Sequence, residues 1–260
     1  MNQLVRSKQV AVHETTVREG FQREERLIPT SAKLWIVERL ILAGFRRLEV
    51  TNFANPKRLP QFADAEELLR LIRTQRSIAR CLPSIELSAI TINRAAVDRA
   101  VAARQVGFGP DRILLVISVS EAYQYHNSGM SIDDYWRMSE GCIRHAKDYG
   151  LKVCGVINSI WGCPRAGQTD MKNAVAFTRR WLEIGADEIE HADHDGSATP
   201  DRVYEYFSLA LDVVPDPDKH IAHFHSTRGW GWPMFCPPFR PASPISNRPW
   251  GGSEVSRPIL

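Results

Sequence analysis

The sequence predicts one α/β barrel of parallel strands, with about seven strands present and the closing strand missing. Three observations predict it. Short β-branched apolar runs alternate with longer amphipathic stretches over the first 231 residues, the runs are apolar on both faces, and polar residues collect at the C-terminal ends of several of them. With 260 residues and 43% hydrophobic content, the chain can bury a core of that size.

In chain order the strand runs are QVAVHE at 9–14, RRLEVTNF at 46–53, SIELSAIT at 84–91, RILLVISVS at 112–120, LKVCGVINS at 151–159, ADEIEHAD at 186–193 and KHIAHFHS at 219–226. Helical patterns lie between them. The stretch 30–44 opens on Thr30 or Ser31 as N-cap and closes on Gly44. The stretch 131–150 opens on Ser131, carries acids in its first turn and ends on Gly150. Two more follow, TDMKNAVAFTRRWLEIG and TPDRVYEYFSLALDVV, the second with Pro200 near its start. Seven strands would also suit an open doubly wound sheet, which gathers its chemistry at one switch point. Here Glu14, Glu49, Ser118, Ser120, Asn158, Asp193 and the His223/His225 pair end many different strands, as in a TIM (β/α)8-type barrel.

Composition excludes several function classes. The net charge of +3 comes from basic residues scattered singly or in pairs, which argues against a nucleic-acid partner. No run of 18 apolar residues exists to span a membrane. The start passes from a short polar lead into a strand without an apolar signal core, so a cytoplasmic location is expected. Five cysteines without paired spacing read as free thiols.

The chemistry concentrates in two places. Arg18-Glu19, followed by Gly20, sets a cation and a carboxylate on the loop after the first strand. Alone, that pair reads as a surface ion pair. On the seventh strand, His223 and His225 are two residues apart and so face the same way. Two inward histidines plus the loop carboxylate make a facial N,N,O metal site with open positions, suited to Mg²⁺ or Mn²⁺.

TTVREGFQ, the block ERLIPTSAKLWIVERLILAGFRRLEVTNFANPKRLPQFADAEELL, SVSEAYQYHNSG, GCPRAG, DEIEHADHDGSATPDRV and HFHSTRG together resemble the 3-hydroxy-3-methylglutaryl-CoA lyase family, within the DRE-TIM metallolyases, over residues 9–231. The resemblance implies a divalent-metal carbon–carbon lyase that cleaves a 3-hydroxyacyl-CoA to a ketoacid and an acyl-CoA by retro-aldol chemistry, as in leucine catabolism. It implies Glu19, His223 and His225 as metal ligands, Arg18 as the cation that steadies the enolate oxygen, and Glu49 and Asp193 as catalytic acids lining the site. Gln22, Ser120 and Asn158 join Arg18 as expected substrate-binding residues. An acyl-CoA substrate and a homodimer are the expected partners.

Three departures from the family pattern stand out. Glu19 replaces the family's metal-binding Asp, one methylene longer. Ala192-Asp193-His194 replaces Gly-Asp-Thr, and His191 and His194 add imidazoles near the mouth, either as further ligands or as polar loop residues. The glycine-rich loop with the catalytic Cys and the metal-site Asn has no counterpart; Cys163 matches another loop and Cys236 lies in the tail. That tail, 232–260, holds seven of the sixteen prolines and has no helix or strand period. Read one base earlier, Met234-Phe235 forces a Val codon, Phe235-Cys236 a Leu codon and Trp250-Gly251 a Gly codon, as the family's continuation requires. The expectation is therefore a barrel domain over 1–231 and an irregular, out-of-frame Pro-rich tail over 232–260, truncating the fold. An open edge between strands one and seven would follow, with little or no lyase activity in this chain. Two alternatives stay open: a non-catalytic remnant that binds metal or acyl-CoA, and an aldolase acting on a free hydroxy-ketoacid.

Overall fold

The computed structural model describes residues 11–231, residue 234 and the backbone of residues 254–257. Seven strands fall inside the seven predicted windows: β1 (Val12–Glu14), β2 (Arg47–Asn52), β3 (Glu86–Ile90), β4 (Arg112–Ser118), β5 (Lys152–Asn158), β6 (Glu188–Asp193) and β7 (His220–Phe224). Each pairs in parallel with the next. Helices α1 (Thr30–Leu42), α2 (Ala65–Thr74), α3 (Arg94–Gln105), α4 (Glu121–Ser128), α5 (Ile132–Asp148), α6 (Met171–Glu183) and α7 (Pro200–Val213) connect them.

The expected missing strand is corrected. A short β8, Glu254–Arg257, pairs in parallel with both β1 and β7 and closes the barrel. Its prolines make the tail irregular as a sequence, yet this four-residue stretch contains none, and β1 and β7 each offer a row of backbone donors and acceptors that a proline-free segment can satisfy. The rest of the predicted irregular tail, with Cys236, lies outside the described residues, apart from Met234. Among the described residues no helix is long and apolar enough to cross a membrane.

Two apolar layers hold the fold. Ile90, Leu114, Cys154, Val156, Ala192 and Ile221 cluster inside the barrel. The larger cluster lies between strands and helices and includes Trp136, Trp161, Trp181 and Phe224. There Gly155 is required: a Cβ on it would lie 2.2 Å from the Trp181 ring, which itself packs on Trp136 with centroids 4.7 Å apart. At the N-terminal end of the barrel Arg47 bridges Glu86 at 2.8 Å and Glu188 at 2.6 Å, and Arg112 pairs with Glu188 as well. Charges there fill the end opposite the mouth and leave the C-terminal end free for chemistry.

Helix ends follow the predicted signals with one exception. The Ser131 hydroxyl accepts from the Asp134 N–H at 3.1 Å, and Gly44 and Gly150 take positive φ after α1 and α5. Neither Thr30 nor Ser31 caps α1. Pro29 occupies the cap position, and the Thr30 hydroxyl instead donates to the Asp64 carboxylate at 2.7 Å, a charged acceptor that also takes Lys33 at 2.8 Å.

Candidate metal centre at the barrel mouth

The chain leaves β1 through a π-helical turn, Thr16–Gly20, which places Arg18 and Glu19 over the C-terminal end of the barrel. Across β8 from β1, β7 delivers His223, and the residue just past its end, His225, follows on the same face. One ligand atom from each of Glu19, His223 and His225 lies within 4.8 Å of the other two, so the three predicted metal residues converge. The longer Glu19 still reaches: its Oε1 is 3.5 Å from His225 Nε2, while its other oxygen pairs with Arg18.

Both imidazoles are held by their other nitrogen. His223 Nδ1 donates to Glu190 Oε1 at 2.8 Å, and His225 Nδ1 donates to the His194 carbonyl at 2.8 Å. That fixes the tautomers and leaves Nε2 of each ring for a cation. Arg18 is buried between Glu19 and Glu49, its Nε donating to Glu49 Oε1. Glu49 faces inward two residues after Arg47 by strand alternation, and the β2–β3 register shifts just beyond it, between Glu49 and Thr51.

Electrostatics follow from this crowding. Burial works to protonate Glu19, but the Arg18 guanidinium overcomes it and holds the carboxyl well below the usual range. Burial raises the Glu49 pKa, against the pull of Arg18. Burial opposes charge on His223, yet the Glu190 carboxylate prevails and raises it, while Glu190 itself is lowered by that hydrogen bond despite its burial. Three carboxylates, Glu19, Glu49 and Glu190, thus face one guanidinium. The N,N,O donor set with open positions fits a divalent cation.

The remaining predicted residues take varied places. Asp193, at the end of β6, is not one of the converging three. Its oxygens accept from the backbone N–H groups of Ser197 at 3.0 Å and Ala198 at 3.3 Å, anchoring the loop before α7, and burial pushes its carboxyl up to about 6. Asn158 ends β5 with Oδ1 tied to the Ser159 N–H and Nδ2 turned toward the His194 ring at 3.4 Å. Ser159, next to it, holds a left-handed φ of 62°, a strained turn at the barrel mouth. Ser120 caps α4 and accepts from the Cys163 thiol at 3.2 Å, so its hydroxyl already serves the fold. Gln22 is exposed in the short turn after Gly20.

His191 is neither ligand nor loop residue. It is buried on the outer face of β6, bonded to Tyr206 at 2.8 Å and His220 at 2.9 Å, because strand alternation turns it away from the lumen where Glu190 points. His194 does lie in the loop at the mouth, its ring 4.6 Å from that of Tyr123. Glu190 escaped the sequence reading. The available signal was a carboxylate within a strand whose two faces are both buried.

Fold and site together define a (β/α)8 barrel that presents a metal-type donor set at its C-terminal mouth. The HMGL-like family model matches residues 9–233, and the chain belongs to that family. It is 29% identical over 222 residues to the mitochondrial hydroxymethylglutaryl-CoA lyase of Arabidopsis thaliana, covering 85% of this chain and 45% of that protein. The mitochondrial hydroxymethylglutaryl-CoA lyase of Bos taurus matches at 29% identity over 222 residues, 85% of this chain and 64% of that one. The chain therefore spans about half to two thirds of these curated relatives. A crystal structure of hydroxymethylglutaryl-CoA lyase from Pseudomonas aeruginosa is similar with a TM-score of 0.77 at 26% identity, covering 85% of this chain and 70% of that one.

Proposed function

We propose that this protein is a divalent-metal-dependent carbon–carbon lyase that cleaves a 3-hydroxyacyl-CoA of the 3-hydroxy-3-methylglutaryl-CoA type to a ketoacid and an acyl-CoA. The observation that carries the reading is the convergence of Glu19, His223 and His225 beside the buried Arg18. The names of the curated relatives support the substrate class. A bound Mg²⁺ or Mn²⁺ would be held by those three side chains and would supply the Lewis acidity that acidifies a substrate hydroxyl.

The chain's own groups do the rest. Arg18 is fixed by Glu19 and Glu49, and its remaining N–H donors are the cationic hydrogen-bond donors for an enolate oxygen as the carbon–carbon bond breaks. Glu49 has an Oε2 without a hydrogen-bond partner among the described residues and a raised pKa, so it can hold a proton at that atom. Asn158 orients substrate from the end of β5, with Gln22 at the rim; Asp193 shapes the loop that carries His194. A homodimer belongs to the same proposal and rests on the family resemblance.

The test is release of acetyl-CoA and acetoacetate from 3-hydroxy-3-methylglutaryl-CoA by the 260-residue chain, with Mg²⁺ or Mn²⁺ and with a chelator. Metal-dependent release is the expected result. Metal and acyl-CoA binding without cleavage would instead mark a binding module. Turnover of a free hydroxy-ketoacid alone would mark an aldolase. The inactivity expected from the sequence has two grounds. β8 removes the open barrel, while the loop with the family's catalytic Cys and metal-site Asn still has no counterpart, so little or no release would fit that second ground.

A further inference from the structure

Glu190 stands where the fold gives no reason for a carboxylate. It sits in the middle of β6, in register with Val156 on β5 and Ile221 on β7. Both neighbours belong to the apolar cluster inside the barrel. The side chain is 3% exposed, its Oε2 has no hydrogen-bond partner among the described residues, and its Oε1 takes the Nδ1–H of His223. A Val or Leu would fill that layer without a carboxylate's need for partners, so the residue is accounted for by what it meets. The residue that benefits is His223.

We propose that Glu190 is a positioning residue for the metal centre. It holds His223 with the proton on Nδ1, turns Nε2 toward Glu19 and His225, and places a full negative charge behind the ligand in a low-dielectric interior. The centre is asymmetric in this respect: His225 rests its Nδ1–H on the neutral carbonyl of His194, so one imidazole of the pair has a carboxylate behind it. A carboxylate in that place raises ligand basicity, and its loss weakens metal binding by about ten- to a hundredfold. This inference rests on the metal-centre reading above.

The experiment is calorimetric titration of the full chain with Mn²⁺, for wild type, Glu190→Gln, Glu190→Ala and His225→Ala. Glu190→Gln keeps a hydrogen-bond acceptor but loses the charge, and is expected to weaken Mn²⁺ binding about tenfold. Glu190→Ala loses both and is expected to weaken it by up to about a hundredfold. The metal-free melting temperature should fall in both variants, because the buried His223 loses its carboxylate partner, so Mn²⁺ affinity is read well below each variant's melting. Unchanged Mn²⁺ affinity in both Glu190 variants, with binding abolished in His225→Ala, overturns the positioning role and leaves the metal centre standing. A wild-type chain that binds no Mn²⁺ overturns both. Ring ¹⁵N shifts of His223 in the wild type give a check that needs no variant: a proton on Nδ1 supports the proposal and one on Nε2 alone overturns it.

Discussion

Arg18 shows how much one side chain carries at this site. Its guanidinium is buried and shared between Glu19 and Glu49, a geometry that needs nitrogens on two sides of a planar group. Lysine keeps the charge but has one nitrogen, so Arg18→Lys is expected to leave one carboxylate short of a donor and to cost about 1–3 kcal/mol of stability. Cleavage of the thioester substrate should fall by about a hundredfold or more, since the cationic donor to the developing oxygen is misplaced. A melting curve and a kcat measurement on the same preparation check both. An Arg18→Lys protein with wild-type turnover would remove Arg18 from the chemistry. The Arg18-Glu19 pair was legible as residues, and so was the histidine pair. Glu49 was legible as a site residue but not as the partner of Arg18, and Glu190 meets His223 only because β6 and β7 are neighbours.

At the scale of an element, the outer face of β6 holds a directional chain of hydrogen bonds. The Val214 carbonyl can only accept, so His220 donates from Nε2 and accepts at Nδ1. His191 then donates from Nε2 to His220 and accepts the Tyr206 hydroxyl proton at Nδ1. Both imidazoles are neutral in this arrangement, and burial lowers the pKa of each. The linkage has a definite sign. Above the unfolded imidazole value of about 6.5 the chain contributes fully, and below it the unfolded state takes up protons that the native state refuses. Stability should therefore decline as pH falls from about 6.5 toward the lowered native values. The decline should be shallower in His191→Phe than in wild type, by urea unfolding at stepped pH. Tyr206→Phe leaves His191 Nδ1 without a donor and should cost about 1–2 kcal/mol at neutral pH. A steeper acid decline in His191→Phe would contradict the assignment.

The whole molecule depends on closure. β8 meets Val12, His13 and Glu14 of β1 on one side and Ile221, Ala222 and His223 of β7 on the other. Those two strands carry the loop with Arg18 and Glu19 and the metal histidines, so the closing strand joins the two halves of the site. Deleting residues 251–260 should leave two parallel edges unpaired and turn the chain to association. Light scattering and size exclusion would report this as loss of a single species. A truncated chain of unchanged size distribution and unchanged Mn²⁺ affinity would show that β8 does not hold the halves together.

Local properties of the chain determined much of this protein. Strand windows, helix ends at Ser131, Gly44 and Gly150, and the alternation that sets His223 and His225 on one face all arise within a few residues, where backbone geometry is fixed by neighbours in sequence. Tertiary structure decided what depends on distant segments meeting. It alone put Glu190 behind His223, gave His191 its partners Tyr206 and His220, and recruited a four-residue piece of a proline-rich segment as the closing strand. Those outcomes follow from backbone groups and charges that must find partners wherever the closed barrel brings them.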